Sequence, residues 1–335
     1  MTNGNRYRER HFISGGRFSS VYRATDHNDG TLVALKITTP EEDRPPHNSR
    51  DELKLLKLIK QSGGCDYGLL HIQDSFFADQ IDLVIVTPYL PFTLTQILQH
   101  NSVKIRPKFN PYLELGSRDS DESRNDNVPT FKNQLSDVRA REIIMGIARG
   151  LDFLHSNGII HRDIKPANIL FHNLTSNPTI IDFGISYAYP DNFGKEPSNN
   201  KIRDISTSIY KAPELIFGIS DYSYGVDIWS FGIMISSFYT DDIEPVLKNE
   251  GSVSDWTLVS QIFQSFGVPT LDQWPEGRKS STFGKMNANP RPGKDVDLLI
   301  PRADGKVKAL FKKMMVFESS NRVGAKEIIN TLSIL

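Results

Sequence analysis

Residues 161 to 168 read His161-Arg162-Asp163-Ile164-Lys165-Pro166-Ala167-Asn168, after a strand-like Ile159-Ile160 and before Ile169-Leu170. Nineteen positions after Asp163, Asp182-Phe183-Gly184 follows Ile180-Ile181. Upstream, Leu135, Val138, Ile143, Ile144, Ile147, Leu151 and Leu154 recur at helical spacing as far as Gly158, which predicts a long buried helix feeding the stretch. Further back, Tyr7 to Lys36 alternates and turns like hairpins, with Asn28-Asp29-Gly30 as a turn before Thr31-Leu32-Val33-Ala34-Leu35-Lys36, and an antiparallel sheet is expected. Asp51 to Lys60 sets Leu53, Leu55, Leu56 and Ile59 among charges, the pattern of a short amphipathic helix on that sheet, and Ile81 to Val86 is a further strand. Beyond the central stretch, apolar helices are predicted around Val226 to Tyr239, Trp256 to Phe266, Val307 to Val316 and Ala325 to Leu332. The polar run between His100 and Asn133 reads as a flexible insertion, and the Gly-, Pro- and Lys-rich run from Pro275 to Pro301 as a second surface loop.

The whole-chain numbers exclude several classes. With 335 residues, 38% hydrophobic and 24% charged, the chain is globular and large enough for two lobes. No run approaches the roughly 20 apolar residues that span a bilayer. Met1 to Arg10 resembles neither a secretory signal nor a myristoylation site, so neither secretion nor membrane attachment is expected. A formal charge of −1 gives no global attraction to nucleic acid. The sole cysteine, Cys65, has no internal disulfide partner, which fits a reducing cytoplasmic and/or nuclear setting, and it is expected to be a small hydrophobe rather than a reactive thiol.

The His161-Arg162-Asp163, Asn168 and Asp182-Phe183-Gly184 set, in that order, resembles the motif series of the eukaryotic protein kinases over nearly the whole chain. Phosphoryl transfer needs a carboxylate to orient the attacking hydroxyl and oxygen ligands to hold magnesium on the phosphates. Asp163 is expected to be that carboxylate, Asn168 and Asp182 the Mg2+ ligands, and Lys165 a cation neutralising the moving group. Val33-Ala34-Leu35-Lys36 resembles the strand whose lysine holds the α- and β-phosphates of ATP, and Glu52, 16 residues on, falls on the helix that supplies its partner. Alone, Lys36 would read as an edge-strand charge and Glu52 as a solvated helix face. The resemblance implies an α+β, bilobal protein-kinase fold: a small antiparallel-sheet N-lobe with one regulatory helix over residues 7 to 90, and a larger, mainly helical C-lobe over 91 to 335, in a single domain.

The glycine-rich loop departs from the family pattern. Counting back from Val21, its three glycines fall at Ser14, Gly16 and Ser19, with Gly15 beside the middle one and Phe18 at the aromatic position. Serines there should loosen the phosphate cover rather than abolish it. Thr87 aligns with the residue that sets the depth of the adenine pocket, Pro88 and Leu90 offer the hinge contacts, and Val21, Ala34 and Leu170 sandwich the base. Glu214 of Ala212-Pro213-Glu214 is expected to pair with Arg322, and Asp227 to hold the backbone of the catalytic loop. Lys165 and Thr207 are what serine/threonine kinases carry, and β-branched Ile185 resembles the class preferring threonine.

In such kinases a phosphate on the activation segment pairs with the catalytic-loop arginine, here Arg162. The usual phosphothreonine position falls on Ile202, so the expectation is an enzyme active without that modification, held by local packing and Asp204. The run from Lys201 to Glu214, with Pro45-Pro46-His47-Asn48, the serine-substituted loop and the insertion after residue 100, resembles the budding-yeast-type, single-subunit CDK-activating kinases. That resemblance implies a monomer that phosphorylates the activation-loop threonine of a cyclin-dependent kinase and needs no cyclin. Another serine/threonine kinase of the CDK/MAP-kinase group, or a pseudokinase scaffold, are the alternatives.

Overall fold

The computed structural model describes residues 6–105, 130–248, 254–286 and 289–333. Strands β1 (Tyr7–Gly15), β2 (Ser20–Asp26) and β3 (Leu32–Thr38) form a meander. After helix α1 (Ser49–Gln61), β4 (Asp74–Ala78) and β5 (Asp82–Pro88) complete an antiparallel sheet of order β1-β2-β3-β5-β4. The strand period of two sorts β3: Val33 and Leu35 are buried with Tyr7, Ala24, Val84 and Val86, which leaves Ala34 and Lys36 on the opposite face. Helix α1 begins where the Asn48 side chain accepts the Asp51 N–H, and it buries Leu55, Leu56 and Ile59 while Leu53 is partly buried.

The larger lobe opens with β6 (Phe92–Thr93) and α2 (Leu94–His100), the latter started by a reciprocal cap between Thr93 and Gln96. Strands β7 (Ser102–Ile105) and β8 (Thr130–Asn133) pair as the two ends of the expected insertion, whose residues 106–129 lie outside the described residues. Helix α3 (Asp137–Ser156) is the long predicted one, yet Val138 is 68% exposed. Ser136 caps the helix one residue earlier, so Val138 sits in the first turn on the solvent side. Strands β9 (Ile159–Ile160), β10 (Ile169–Phe171), β11 (Thr179–Ile180) and β12 (Tyr187–Ala188) follow as short pairs. A Cβ on Gly150 of α3 would lie 2.7 Å from the Ile180 side chain, so glycine is what lets β11 approach the helix.

Helices α4 (Pro213–Ile216) and α5 (Gly225–Tyr239) come next, and every residue of α5 from Val226 to Tyr239 is buried, which makes it the axis of the lobe. Helix α6 (Asp255–Phe266) turns its N-terminal Trp256 outward, 65% exposed, although its apolar character suggested burial. The Pro275 to Pro301 run is not a plain surface loop. Phe283 packs edge-on to Trp274 at 4.7 Å and Phe217 at 5.3 Å, β13 (Gly267–Val268) pairs with β14 (Arg291–Pro292), and α7 (Val296–Leu299) buries two of its residues. Helices α8 (Gly305–Met314) and α9 (Ala325–Ser333) close the chain. A small antiparallel-sheet lobe with one helix followed by a larger, mainly helical lobe is the bilobal α+β arrangement that the motif resemblance implied, and no described helix is long and apolar enough to cross a membrane.

Candidate active site

The loop between β9 and β10 is held from below. Asp227, buried in α5, accepts the backbone N–H of His161 and of Arg162 at 2.8 Å each and bonds His155 Nε2 at 2.9 Å. Burial would raise this carboxyl, but the His155 bond and the charges of His155 and His161 hold it below its ordinary value. Ionised, it can fix two successive amides and so permit Arg162 its left-handed φ of 73°, a costly conformation for a side chain of that size.

Asp163 emerges from this anchored loop with a crowded carboxylate. Its Oδ1 accepts from the Thr207 hydroxyl at 2.8 Å; its Oδ2 accepts from Asn168 Nδ2 at 2.9 Å and faces Lys165 Nζ at 2.7 Å. Lys165 Nζ also donates to Thr207 Oγ1 at 2.7 Å, so a hydroxyl oxygen is already bonded to both the acid and the ammonium. Asn168 spends its amide nitrogen on Asp163, at the side chain and at the carbonyl 2.8 Å away. Its Oδ1 is left as the atom for a cation.

Asp182 stands just beyond β11, whose pairing with β10 sets Ile169 opposite Ile180, and the Ile181 N–H donates to the Asn168 carbonyl at 3.0 Å. The hairpin therefore brings Asn168 and Asp182 to neighbouring ends. Asp182 also has positive φ, 67°, and its carboxylate meets Lys36 at 2.7 Å. Lys36 Nζ reaches Glu52 Oε1 on α1 at 2.7 Å as well. The positive charge of Lys36 holds Asp182 well below the usual carboxylate range. Burial would lower the lysine, yet Asp182 and Glu52 together raise it above its ordinary value. Glu52 differs: burial pushes its carboxyl up despite Lys36, and its Oε2 has no hydrogen-bond partner among the described residues.

The donor set suits magnesium. One anionic oxygen from Asp182 and one amide oxygen from Asn168 are hard ligands, and a small hard cation completes its shell with phosphate oxygens and water rather than a full protein cage. Among the described residues no three His, Cys, Asp or Glu side chains converge into such a cage.

Over the cleft, the β1–β2 turn is closed by the Gly16 N–H donating to the Ser19 carbonyl at 2.8 Å, with Ser14 opposite Val21 and Gly15 opposite Ser20. A Cβ on Gly16 would meet nothing within 4 Å, so the protein leaves space on that side of the turn. Phe18 does not hang free: it stacks on His47 at 4.9 Å, and His47 Nδ1 bonds Asp43 at 2.9 Å. The same Asp43 accepts from the Ser49 N–H and hydroxyl at the start of α1. The Asn48 N–H donates to the Gly184 carbonyl at 2.9 Å, and a Cβ on Gly184 would come within 3.0 Å of the His47 ring. Residues 43 to 49 thus strap together the glycine-rich loop, α1 and Asp182-Phe183-Gly184. Phe183 itself is buried against His161. At the hinge, Ala34 pairs with Thr87 and Val33 with Pro88; Thr87 is buried while Val21, Ala34, Leu170, Pro88 and Leu90 are half-buried.

The activation segment follows Ser186 and ends at Ala212-Pro213-Glu214. Glu214 and Arg322 form a two-pronged buried pair at 2.6 and 2.7 Å. Sequence reasoning missed the residue that meets Arg162. Glu196 does so, also with two prongs, at 3.0 and 2.6 Å, whereas Asp204 is exposed. The segment also reaches α1, where Lys195 pairs with Asp51 and Lys54 lies over the Phe193 ring at 5.0 Å. No local motif marks Glu196 or Lys195, because their partners lie 34 and 144 residues away. Cys65 is exposed in a 3-10 turn after α1.

A two-lobed fold with a paired lysine and glutamate, a carboxylate in an anchored loop and a second carboxylate beside an amide defines a phosphotransferase acting on a protein hydroxyl. The protein kinase domain family matches residues 7–332, and the chain belongs to that family. It is an ATP-dependent protein serine/threonine kinase of the cyclin-dependent-kinase group. Among its relatives, Serine/threonine-protein kinase CAK1 of Saccharomyces cerevisiae is 34% identical, over 79% of this chain and 74% of its own. Serine/threonine-protein kinase csk1 of Schizosaccharomyces pombe is 26% identical over 95% and 91%, and cyclin-dependent kinase 20 of Danio rerio 25% over 95% and 80%. Protein kinases generally use ATP with Mg2+.

Proposed function

We propose that this kinase phosphorylates the activation-loop threonine of a cyclin-dependent kinase, and that it does so as a monomer without a cyclin of its own, in the cytoplasm and/or nucleus. The observation that carries the monomer reading is the source of the contacts on α1. Asp43, Asn48, Lys36 and Lys195 all come from this chain and hold Glu52 at Lys36, the position a partner would otherwise have to enforce. The substrate reading is supported by the resemblance of the Lys201 to Glu214 run to the single-subunit CDK-activating kinases and by the 34% identity to CAK1.

In this reading Lys36 holds the α- and β-phosphates of ATP, and Val21, Ala34, Thr87, Pro88, Leu90 and Leu170 receive the adenine. Ser14, Gly15, Gly16 and Phe18 cover the phosphates. Asn168 and Asp182 would hold magnesium, which would supply positive charge to offset that of the phosphates. Asp163 orients the incoming threonine hydroxyl and takes its proton, Lys165 faces the transferring group, and Thr207 links the two as the substrate arrives. Ile185 favours threonine over serine.

The test is transfer of labelled phosphate from ATP to an unphosphorylated cyclin-dependent kinase and to the same protein lacking its loop threonine. Labelling of the first alone is expected, and Asp163→Asn should cut it roughly 100- to 10,000-fold while nucleotide still binds. Equal labelling of both substrates would remove the CDK-activating reading and leave a different serine/threonine target.

A further inference from the structure

Arg162 is 1% exposed, which makes it one of the largest fully buried side chains of the described protein. Its ring neighbours are Tyr187 at 4.7 Å and Tyr222 at 5.4 Å. A guanidinium so deeply placed needs an anion, since one left unpaired is strongly destabilising. Glu196, 5% exposed, is that anion. Its two oxygens face the two terminal nitrogens of Arg162, the fork geometry in which an arginine–carboxylate pair is both strong and directional.

The remaining valences of Glu196 say what the pair orders. Oε1 also accepts the Ile202 N–H at 2.6 Å, and Oε2 accepts from Asn192 Nδ2 at 3.3 Å. The Tyr222 hydroxyl donates to the Ile202 carbonyl, and the Ser206 hydroxyl donates to the Arg162 carbonyl at 2.8 Å. One carboxylate therefore ties the backbone at residue 202, where activation segments of this architecture carry a phosphothreonine, to the residue next to Asp163. A phosphate would supply negative charge and acceptor oxygens to the same arginine.

We propose that Glu196 is a built-in substitute for the activation-segment phosphate, a positioning residue that acts through Arg162 to hold Asp163 and the substrate-facing Ser206-Thr207 in register. It goes beyond the CDK-activating reading and does not depend on which protein is phosphorylated.

The experiment uses the full chain, treated with phosphatase, with kcat expressed per nucleotide-binding molecule. Wild type should keep its kcat within about twofold after treatment. Glu196→Gln, which retains an acceptor for the Ile202 N–H, should lose kcat roughly tenfold or more with the KM for ATP within about twofold, as expected for misplacement of a catalytic group. In Arg162→Met/Glu196→Gln neither charge of the pair is left without its partner, so the loss should be smaller, by about threefold or more, than the product of the two single losses. If Glu196→Gln does not fold, the double variant decides alone: a tenfold lower kcat at unchanged ATP affinity supports the proposal. Loss of wild-type activity on phosphatase treatment, a wild-type kcat in either glutamine variant, or strictly multiplicative losses would each overturn it.

Discussion

At the scale of single residues, Lys201 has the most unusual setting. The residue is 3% exposed, and its ammonium lies about equally far from the faces of Tyr187, Tyr189 and Tyr222, at 5.2 to 5.3 Å, and donates to the carbonyls of Ser198 and Tyr222. Burial and the neighbouring Arg162 push its pKa down to about 8, against the weaker opposing pull of Asp221 and Glu196. The sign of the consequence is definite. The unfolded chain holds this proton up to the ordinary lysine value, so between about 8 and 10.5 it binds more protons than the folded chain, and the contribution of Lys201 to stability rises with pH across that window. Lys201→Met should remove that component, which denaturant melts of both proteins at pH 7, 8, 9 and 10 would measure. No such behaviour was legible in the sequence, where Lys201 marks only a subfamily resemblance. The motif residues were legible because their chemistry demands a type at a spacing, as with Asp163, Asn168 and Asp182. Glu196 was not, because a glutamate in a polar loop acquires its partner only when the segment folds back over residue 162.

At the scale of elements, the strap from Asp43 to Ser49 coordinates three parts that the sequence lists separately. His47 stacks on Phe18, its neighbour Asn48 bonds Gly184, and Asp43 caps the start of α1. An aromatic pair of this kind contributes about 0.5–1.5 kcal/mol beyond burial. His47→Ala should therefore raise the KM for ATP roughly 2- to 10-fold and reduce amide protection over the first turn of α1, with Asp163 chemistry left in place. Steady-state kinetics and hydrogen exchange would show both, and an unchanged KM with unchanged protection would mean that the strap is passive. Helices with a strong 3.6-residue period, α1 and α3 among them, were read within one or two residues of their ends, as was α5 from its continuous apolar run. The short pieces escaped. Strand β4 has five residues with a half-buried pattern, and α2 has seven with a cap that only Thr93 and Gln96 together reveal. The Pro275 to Pro301 run misled because its Gly and Pro content outweighed Phe283, whose burial against Trp274 is a tertiary fact.

At the scale of the molecule, the larger lobe is tied across its length by Glu214 and Arg322, both completely buried and 108 residues apart. Arg322 also donates to the carbonyls of Val316, Gly225 and Phe317. Removing one member leaves the other charge in the core, so Glu214→Gln should destabilise the protein by about 3–5 kcal/mol. Chemical denaturation should place that loss in the larger lobe, and a midpoint equal to wild type would show that the pair is dispensable.

The anchorage of α1 has a further meaning in terms of mass action. Contacts borrowed from a second protein are made only by the fraction of molecules that has found that protein, so they thin out on dilution. Contacts supplied by Asp43, Asn48 and Lys195 are joined to α1 by the chain itself, and their effective concentration is set by covalent connection. The helix is then seated equally well in a scarce enzyme and in an abundant one.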